Sequence, residues 1–303
     1  MNILFLKHGA LGDLVISFGA LKAIRLHFKK HKIYMLTQEN YKNMFLNLPL
    51  VDEILVDNRN NIFLSLINYV EILKSKKINL VIDLQNSSRT NLYHLFARIF
   101  TNVKISSSSK FSHYRYHSIV QGVQHISINH IDQLKIIGIN NFYNPELNWM
   151  TAKNVYKQNY VIFIPGCSKS GEHKKWQAYK FAELSNFLIQ NKLEVFLTGS
   201  NLDKEIIDEI INLCPKAKNK INESKIQNFY TLCKFSKLII SIDTGPGHIA
   251  GLTNQPMIWI ANDNKVSESG YPLGDNVHKI LSKDIKNIDT DTVKKKIIDI
   301  IDI

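Results

Sequence analysis

Segments of three kinds carry side chains that could do chemistry together. Gly9-Ala10-Leu11-Gly12-Asp13 follows the apolar run Asn2–Leu6 and ends on a carboxylate. Pro165-Gly166-Cys167-Ser168 follows Tyr160–Ile164 and leads to Lys174, Lys175 and Trp176. Asp243-Thr244-Gly245-Pro246-Gly247-His248 follows the apolar run Leu238–Ile242. In each, a run short enough for a buried strand gives way to a Gly- or Pro-containing turn that re-aims the backbone toward a helix. In open α/β sheets such turns lie at the carboxyl ends of strands, where ligands bind, and a helix N-terminus there offers unpaired N–H groups to an anion. Loop N–H groups, the Ser168 hydroxyl and the Lys174 ammonium suit a diphosphate. A carboxylate such as Asp13 suits a general base that takes a proton from a hydroxyl. Each has a plainer alternative: Asp is favoured as a helix cap or dipole partner, lysine pairs are usually solvated surface, and a Trp usually packs.

Several chemistries are argued against by spacing. Gly9 and Gly12 do not make G-x-G-x-x-G, which speaks against NAD or FAD, and no Walker A pattern surrounds Gly166 and Lys174. An Asp-x-Asp pair can hold a divalent metal. The match here, Asp289-Thr290-Asp291, precedes Thr292-Val293-Lys294 and reads as a helix cap, so no metal is expected.

The elements that must position these residues alternate. Strands are expected at Asn2–Leu6, Lys32–Thr37, Glu53–Val56, Asn79–Asp83 and Val103–Ser106, with a helix whose apolar face is Leu14, Phe18, Leu21, Ile24 and Phe28. The rhythm breaks between Ser106 and about Thr151 and then restarts. Further strands are expected at Tyr160–Ile164, Glu194–Thr198, Leu238–Ile242 and Pro256–Ile260. Helices are expected at Gln177–Gln190, Asp203–Leu213 and Lys225–Phe235, the last after the capping candidates Asn222 and Ser224. The economical reading is an α/β protein of two Rossmann-like domains, 1–152 and 153–303, with the last helix able to pack back on the first. In the interruption, Lys110, His113, Arg115 and His117 alternate with Phe111, Tyr114 and Tyr116, a set that could grip an anionic or sugar ligand or simply form a surface loop.

Composition bounds the rest. A chain of 303 residues with 45% hydrophobic and 21% charged residues is globular. No apolar run approaches a membrane span, and Lys7, His8 and Asp13 interrupt the N-terminus too early for a secretory signal. Cys167, Cys214 and Cys233 imply no disulfide framework, so the cytoplasm is the expected compartment. The net charge of +12 favours anionic partners or reflects a bias toward Lys, Asn and Ile.

Taken in order, Gly-Ala-Leu-Gly-Asp at 9–13, Asp-Leu-Gln at 83–85 with Arg89, Pro-Gly-x-Ser at 165–168 ahead of Lys174-x-Trp176, and Asp-Thr-Gly-Pro-x-His at 243–248 span most of the chain. With them the sequence resembles glycosyltransferase family 9, the heptosyltransferases of lipopolysaccharide core assembly and their relatives. The resemblance implies the GT-B architecture, two Rossmann-like domains facing across a cleft, acceptor on the N-terminal side and donor on the C-terminal side. It implies an inverting, metal-independent displacement with Asp13 as base and Lys174 as the cation at the leaving phosphates. Ser168, Lys174, Asp243, Thr244, Gly245 and His248 would hold the donor, with Asn201 where some members carry an acidic ribose ligand. Gly12, Gln85, Arg89 and Arg115 would face the acceptor. The implied donor is a nucleotide-sugar substrate, ADP-heptose, with no resident cofactor. The implied partners are an anionic lipopolysaccharide-type acceptor and, transiently, the cytoplasmic face of the inner membrane, not nucleic acid. Ala261-Asn262-Asp263-Asn264 stands where members often have Gly-Pro-Thr-Asp, which leaves open another donor sugar or acceptor. A nucleotide-sugar epimerase or binding protein of the same fold is the alternative from another class.

Overall fold

The computed structural model describes residues 1–59, 61–117, 123–152, 159–221 and 225–302. Two compact units divide at Glu146 and Leu147, so the expected junction at 152/153 falls a few residues inside the second. The capping candidates Asn222 and Ser224 lie outside the described residues.

The first unit begins β1 (Asn2–Leu6), α1 (Leu11–Ile16), α2 (Phe18–His27), β2 (Lys32–Thr37), α3 (Glu39–Met44) and β3 (Glu53–Val56). It continues α4 (Ile62–Ser75), β4 (Leu80–Asp83), α5 (Ser88–Phe100), β5 (Lys104–Ser107), β6 (Tyr114–Arg115) and α6 (Ile126–Lys135). The strands form one parallel sheet in the order β3-β2-β1-β4-β5-β6. Its centre is held in register by Ile3 beside both Ile33 and Leu80. Ile3, Leu4, Phe5 and Leu6 are all buried, the consequence of helices on both faces and the reason the strand reads as an unbroken apolar run. On one face Leu4, Leu6, Val81 and Ile105 pack with Leu66 and Tyr69 of α4 and Tyr93 and Ala97 of α5.

The single helix expected over Leu14–Phe28 starts earlier and breaks at Ser17. There the Ser17 hydroxyl donates to Leu14 O at 2.6 Å while its N–H is shared between Asp13 O and Leu14 O. Such a back-bonded serine tightens and bends the turn. Close packing adds to the constraint, because a Cβ on Gly19 would stand 2.2 Å from Tyr143 O.

The second unit runs β7 (Tyr160–Ile164), α7 (Ala178–Gln190), β8 (Glu194–Leu197), α8 (Lys204–Leu213), β9 (Lys218–Asn219) and α9 (Ile226–Lys234). After these come β10 (Leu238–Ile242), α10 (Gly245–Gly251), β11 (Met257–Asn262), α11 (Lys265–Ser269), β12 (Val277–Ser282) and α12 (Thr290–Ile300). Its parallel sheet has the order β12-β11-β10-β7-β8-β9. Read from β9, this is the same plan as in the first unit turned end for end. Each sheet reverses its crossover direction between two central strands, β1 and β4 in one and β7 and β10 in the other, and such reversals are where doubly wound folds bind ligands. The last helix packs within its own unit. Val293 and Ile297 enter the core around Phe181, Ile240 and Ile258, and Thr290 Oγ1 donates to Glu183 Oε1 of α7 at 2.7 Å.

Candidate active site

At the reversal in the second unit, β7 runs into Gly166 and β10 into Asp243. A 3-10 stretch, Lys169–Lys174, carries Lys174 back so that its Nζ lies 2.7 Å from Asp243 Oδ2. The ammonium keeps 27% side-chain exposure and the carboxylate 11%, so the pair is held yet open on the lysine side. Thr244 turns the chain into α10, with Pro246 in the first turn, where its missing N–H costs nothing. Gly247 allows that turn to sit on the strand, since a Cβ would meet Ser241 Oγ at 2.7 Å. Gly245 opens α10 and His248 lies buried within it.

Within the segment Ala261–Asn264, the two asparagines have structural parts. Asn262 ends β11, donates from Nδ2 to His173 O at 2.9 Å and accepts the Ile285 N–H at 2.7 Å, which fixes the backbone next to Lys174. Asn264 caps α11 by accepting from Val266 and Ser267 N–H. With His173, Lys174 and Lys265 these residues line a cavity of about 340 Å³. A larger cavity of about 650 Å³ lies between Gly166, α7 and α8. Its lining has Glu172, Asp203, Glu205 and Glu209 against Lys175 and Lys286 and includes neither Lys174 nor Asp243, so the smaller one, with Lys174 and Lys265 and no acid, suits a phosphate better.

Other predicted donor residues are placed less centrally. Ser168 is exposed at the start of the 3-10 stretch. Asn201 is exposed after β8, and its neighbour Asp203 is the structural residue. Asp203 accepts from Ser200 N–H at 2.7 Å and packs so tightly that a Cβ on Gly166 would stand 2.0 Å from its Oδ1. Trp176 is packing: it is fully buried and donates from Nε1 to Ile288 O at 2.9 Å.

In the first unit the turn after β1 is tied down. Gly9 has φ +38°, the left-handed region that disfavours a side chain, and a Cβ there would approach Asp13 Cβ to 3.1 Å. The His8 and Gly9 N–H groups donate to Gln85 Oε1 at 3.1 and 2.8 Å, and Gln38 Nε2 donates to Gly9 O at 3.1 Å. Gln85, expected to face the acceptor, thus anchors the turn. Gly12 is buried inside α1. Asp13 stands in the first turn of α1, half exposed, and among the described residues its carboxylate makes no capping hydrogen bond. Lys7, only 2% exposed, donates from Nζ to Leu84 O at 3.0 Å. Burial lowers its pKa, and the charges of Asp13 and Asp83 offset part of that.

The turn after β4 is held by Asp83, which is fully buried. Its Oδ1 accepts from Gln85 and Asn86 N–H at 2.7 and 3.2 Å, and its Oδ2 lies 2.8 Å from His94 Nε2. Burial is the largest single influence and pushes this carboxyl up, but the bonds from His94, Thr90 and Asn86 together hold it below its ordinary value.

A buried cluster that sequence reasoning missed surrounds Asp57, just past β3. Tyr93 OH donates to Asp57 Oδ2 at 2.5 Å and Ser65 Oγ to Asp57 Oδ1 at 2.9 Å. Arg89 donates from Nε to Tyr93 OH at 2.8 Å and from Nη2 to Ser65 Oγ at 2.9 Å. The predicted acceptor residue Arg89 is therefore committed at least in part to this network. His8 Nε2 stands 3.3 Å from Asp57 Oδ2, in ion-pair range but outside hydrogen-bond geometry. Burial lowers the His8 pKa to about 4, with Asp57 offsetting only part, so the ring is neutral near pH 7. The signal for these residues was polar side chains directly after strands, His8 after β1 and Asp57 after β3.

Arg115 is exposed on the edge strand β6, separated from β1 by β4 and β5, and donates from Nε to Ser108 O at 3.3 Å. Tyr116 beside it packs down, 8% exposed, with its OH donating to Asn129 Oδ1. Asp289 caps α12 by accepting the Thr292 N–H at 2.6 Å, as its spacing predicted. Among the described residues no helix is long and apolar enough to cross a membrane.

Residues 139–297 match the family model described as "Glycosyltransferase family 9 (heptosyltransferase)". Over 92% of this chain and 92% of the relative, the sequence is 22% identical to "Lipopolysaccharide heptosyltransferase 1" of Campylobacter coli. A local stretch, 32% of this chain and 29% of the relative, is 33% identical to "Lipopolysaccharide heptosyltransferase 2" of Escherichia coli. The fold is similar to the structure of "E. coli heptosyltransferase WaaC with ADP-2-deoxy-2-fluoro heptose", with a TM-score of 0.78 and 16% identity over 99% of each chain.

Proposed function

The chain belongs to glycosyltransferase family 9, and from that premise we propose that it transfers heptose from ADP-heptose to an anionic lipopolysaccharide core acceptor, with inversion and without a metal. The acceptor hydroxyl oxygen forms the new bond to the anomeric carbon while the bond from that carbon to the diphosphate oxygen breaks. Asp13 takes the hydroxyl proton as the attack proceeds, worth roughly 100-fold or more in rate. The electron pair leaves with ADP, whose added charge is met by Lys174 and by N–H groups at the start of α10. One displacement inverts the centre. Asp243 keeps the Lys174 ammonium in place, and Asn262, Asn264 and Lys265 beside it line the cavity in which phosphates or sugar would lie. The observation that carries this reading is the Lys174–Asp243 pair at 2.7 Å, a partly open cation at the point where strand order reverses.

A transfer assay tests it. With ADP-heptose and a heptose-deficient core lipid, ADP should be released only when both are present, and EDTA should leave the rate unchanged. Conversion of the nucleotide-sugar without acceptor would favour an epimerase, and activity confined to another nucleotide-sugar would replace the donor.

A further inference from the structure

Among the described residues of the first unit, six exposed apolar side chains fall on one layer. Phe63, Leu64 and Ile67 of α4 are 71%, 66% and 63% exposed, and α5 adds Leu92, Ile99 and Phe100. The two helices share a core, with Tyr69 stacked on Tyr93 at 4.9 Å, so these side chains belong to one continuous layer. Exposed apolar clusters of this kind mark interaction surfaces. Three of them, with Leu92, sit in the early turns of α4 and α5, at the carboxyl end of the parallel sheet, the end at which β1 delivers Asp13.

Charge says what the layer meets. Helix α5 has Arg89 and Arg98 and no acidic residue, and the sole acid of α4, Glu71, is balanced by Lys74. Arg59 precedes α4, while Arg89 is turned toward the Asp57 network through Ser65 and Tyr93, so Lys74 and Arg98 are the exposed cations of the two helices. Across residues 1–146 there are 17 Lys and Arg against 9 Asp and Glu, a net of +8, while residues 147–303 have 21 against 17, a net of +4. A second copy of so basic a unit would be repelled, whereas an anionic bilayer would attract the unit and could accept the apolar side chains at its headgroup level. We propose that the α4–α5 layer, centred on Phe63, Leu64 and Ile67, is the surface by which this protein docks on an anionic lipid bilayer. The inference rests on the reading that the acceptor is lipid-linked, and docking by this layer brings the acceptor unit to the membrane.

Sedimentation with vesicles of phosphatidylethanolamine and phosphatidylglycerol in equal amounts tests it. The wild-type protein should pellet with them, less so at high salt and less with phosphatidylcholine alone. The combined Phe63→Ser, Leu64→Ser and Ile67→Ser variant should bind at least about tenfold more weakly, and Leu64→Ser alone about threefold. Circular dichroism and thermal melting check that each variant is folded, and the single variant decides if the triple one is not. Undiminished binding of the folded variant, or a wild type that does not pellet, overturns the proposal. So does light scattering that shows a wild-type dimer made monomeric by the variant. Binding is read without donor or acceptor, so a failed transfer assay would remove the enzymatic reading and leave this measurement standing, and the reverse.

Discussion

In the first unit the turns after β1 and β4 are locked from within. Asp83 binds two backbone N–H groups and His94, Gln85 binds the Gly9 turn, and Asp57 gathers Tyr93, Ser65 and, at ion-pair distance, His8. In the second unit, with the same strand order, the matching turns after β7 and β10 are set by close approach of backbone instead. Gly166 lies under Asp203, Gly247 lies on Ser241, and the charged pair there, Lys174 with Asp243, keeps its cation partly open. One topology thus supports two solutions. Buried polar networks over-determine a turn and make it rigid, at the cost of depending on every partner. Glycine packing leaves the side chains around the turn available for a ligand. Under the proposed transfer, the first arrangement suits presentation of one carboxylate, Asp13, in a fixed place, and the second suits reception of a diphosphate.

The contrast can be broken by substitution. The largest effect is expected for Asp83→Ala, which strands His94 and the turn N–H groups in the interior and should cost about 3–5 kcal/mol of stability, read as urea unfolding. A loss below about 1 kcal/mol would mean that the network does not hold the turn.

Next is acid sensitivity of the same unit. Because the folded His8 titrates at about 4 and an unfolded histidine near 6.5, the unfolded chain binds the extra proton between those values. Stability should be complete above about pH 6.5 and fall as pH drops toward 4, by on the order of 3 kcal/mol. The buried His130, whose pKa burial also lowers, acts in the same direction. Unfolding free energies measured across that window should slope downward toward acid, and less so in His8→Gln. A flat profile would show that His8 is not buried neutral.

Asp13→Asn should cost no more than about 1 kcal/mol of stability, because its carboxylate caps nothing and only its charge beside buried Lys7 and at the start of α1 is lost, yet reduce transfer by roughly 100-fold or more. Retained turnover within about tenfold would remove it as the base. Last, Lys174→Ala should weaken ADP binding about tenfold by calorimetry with little change in stability, since its ion pair is partly exposed. Unchanged ADP affinity would move the phosphate site elsewhere, with the 650 Å³ cavity the next place to look.

Much of the scaffold was legible because its central strands are apolar runs bounded by turn residues. The expected bounds of Asn2–Leu6, Lys32–Thr37, Glu53–Val56, Tyr160–Ile164 and Leu238–Ile242 coincide with β1, β2, β3, β7 and β10. The exposed-edge strand β12 and the two-residue strands β6 and β9 were not, since an edge needs no apolar run and a two-residue bridge leaves no period. Nor was the break at Ser17, where one hydroxyl overrides a helical pattern that continues on both sides.

For the site, chain order alone placed Asp13, Lys174 and Asp243 after strands, because in a parallel sheet every strand's carboxyl end falls on one side. What each polar neighbour does there was decided by tertiary structure. Gln85 meets Gly9 across 76 positions of sequence, Arg89 meets Ser65 across 24, and Asn262 meets His173 across 89. No local pattern encodes such pairs, since a hydrogen bond needs two groups within about 3 Å and sequence distance says nothing of that. The sequence by itself determined that two parallel sheets would form and at which turns chemistry could sit. Only the packing of those sheets decided which polar residues hold the turns and which are left to meet a substrate.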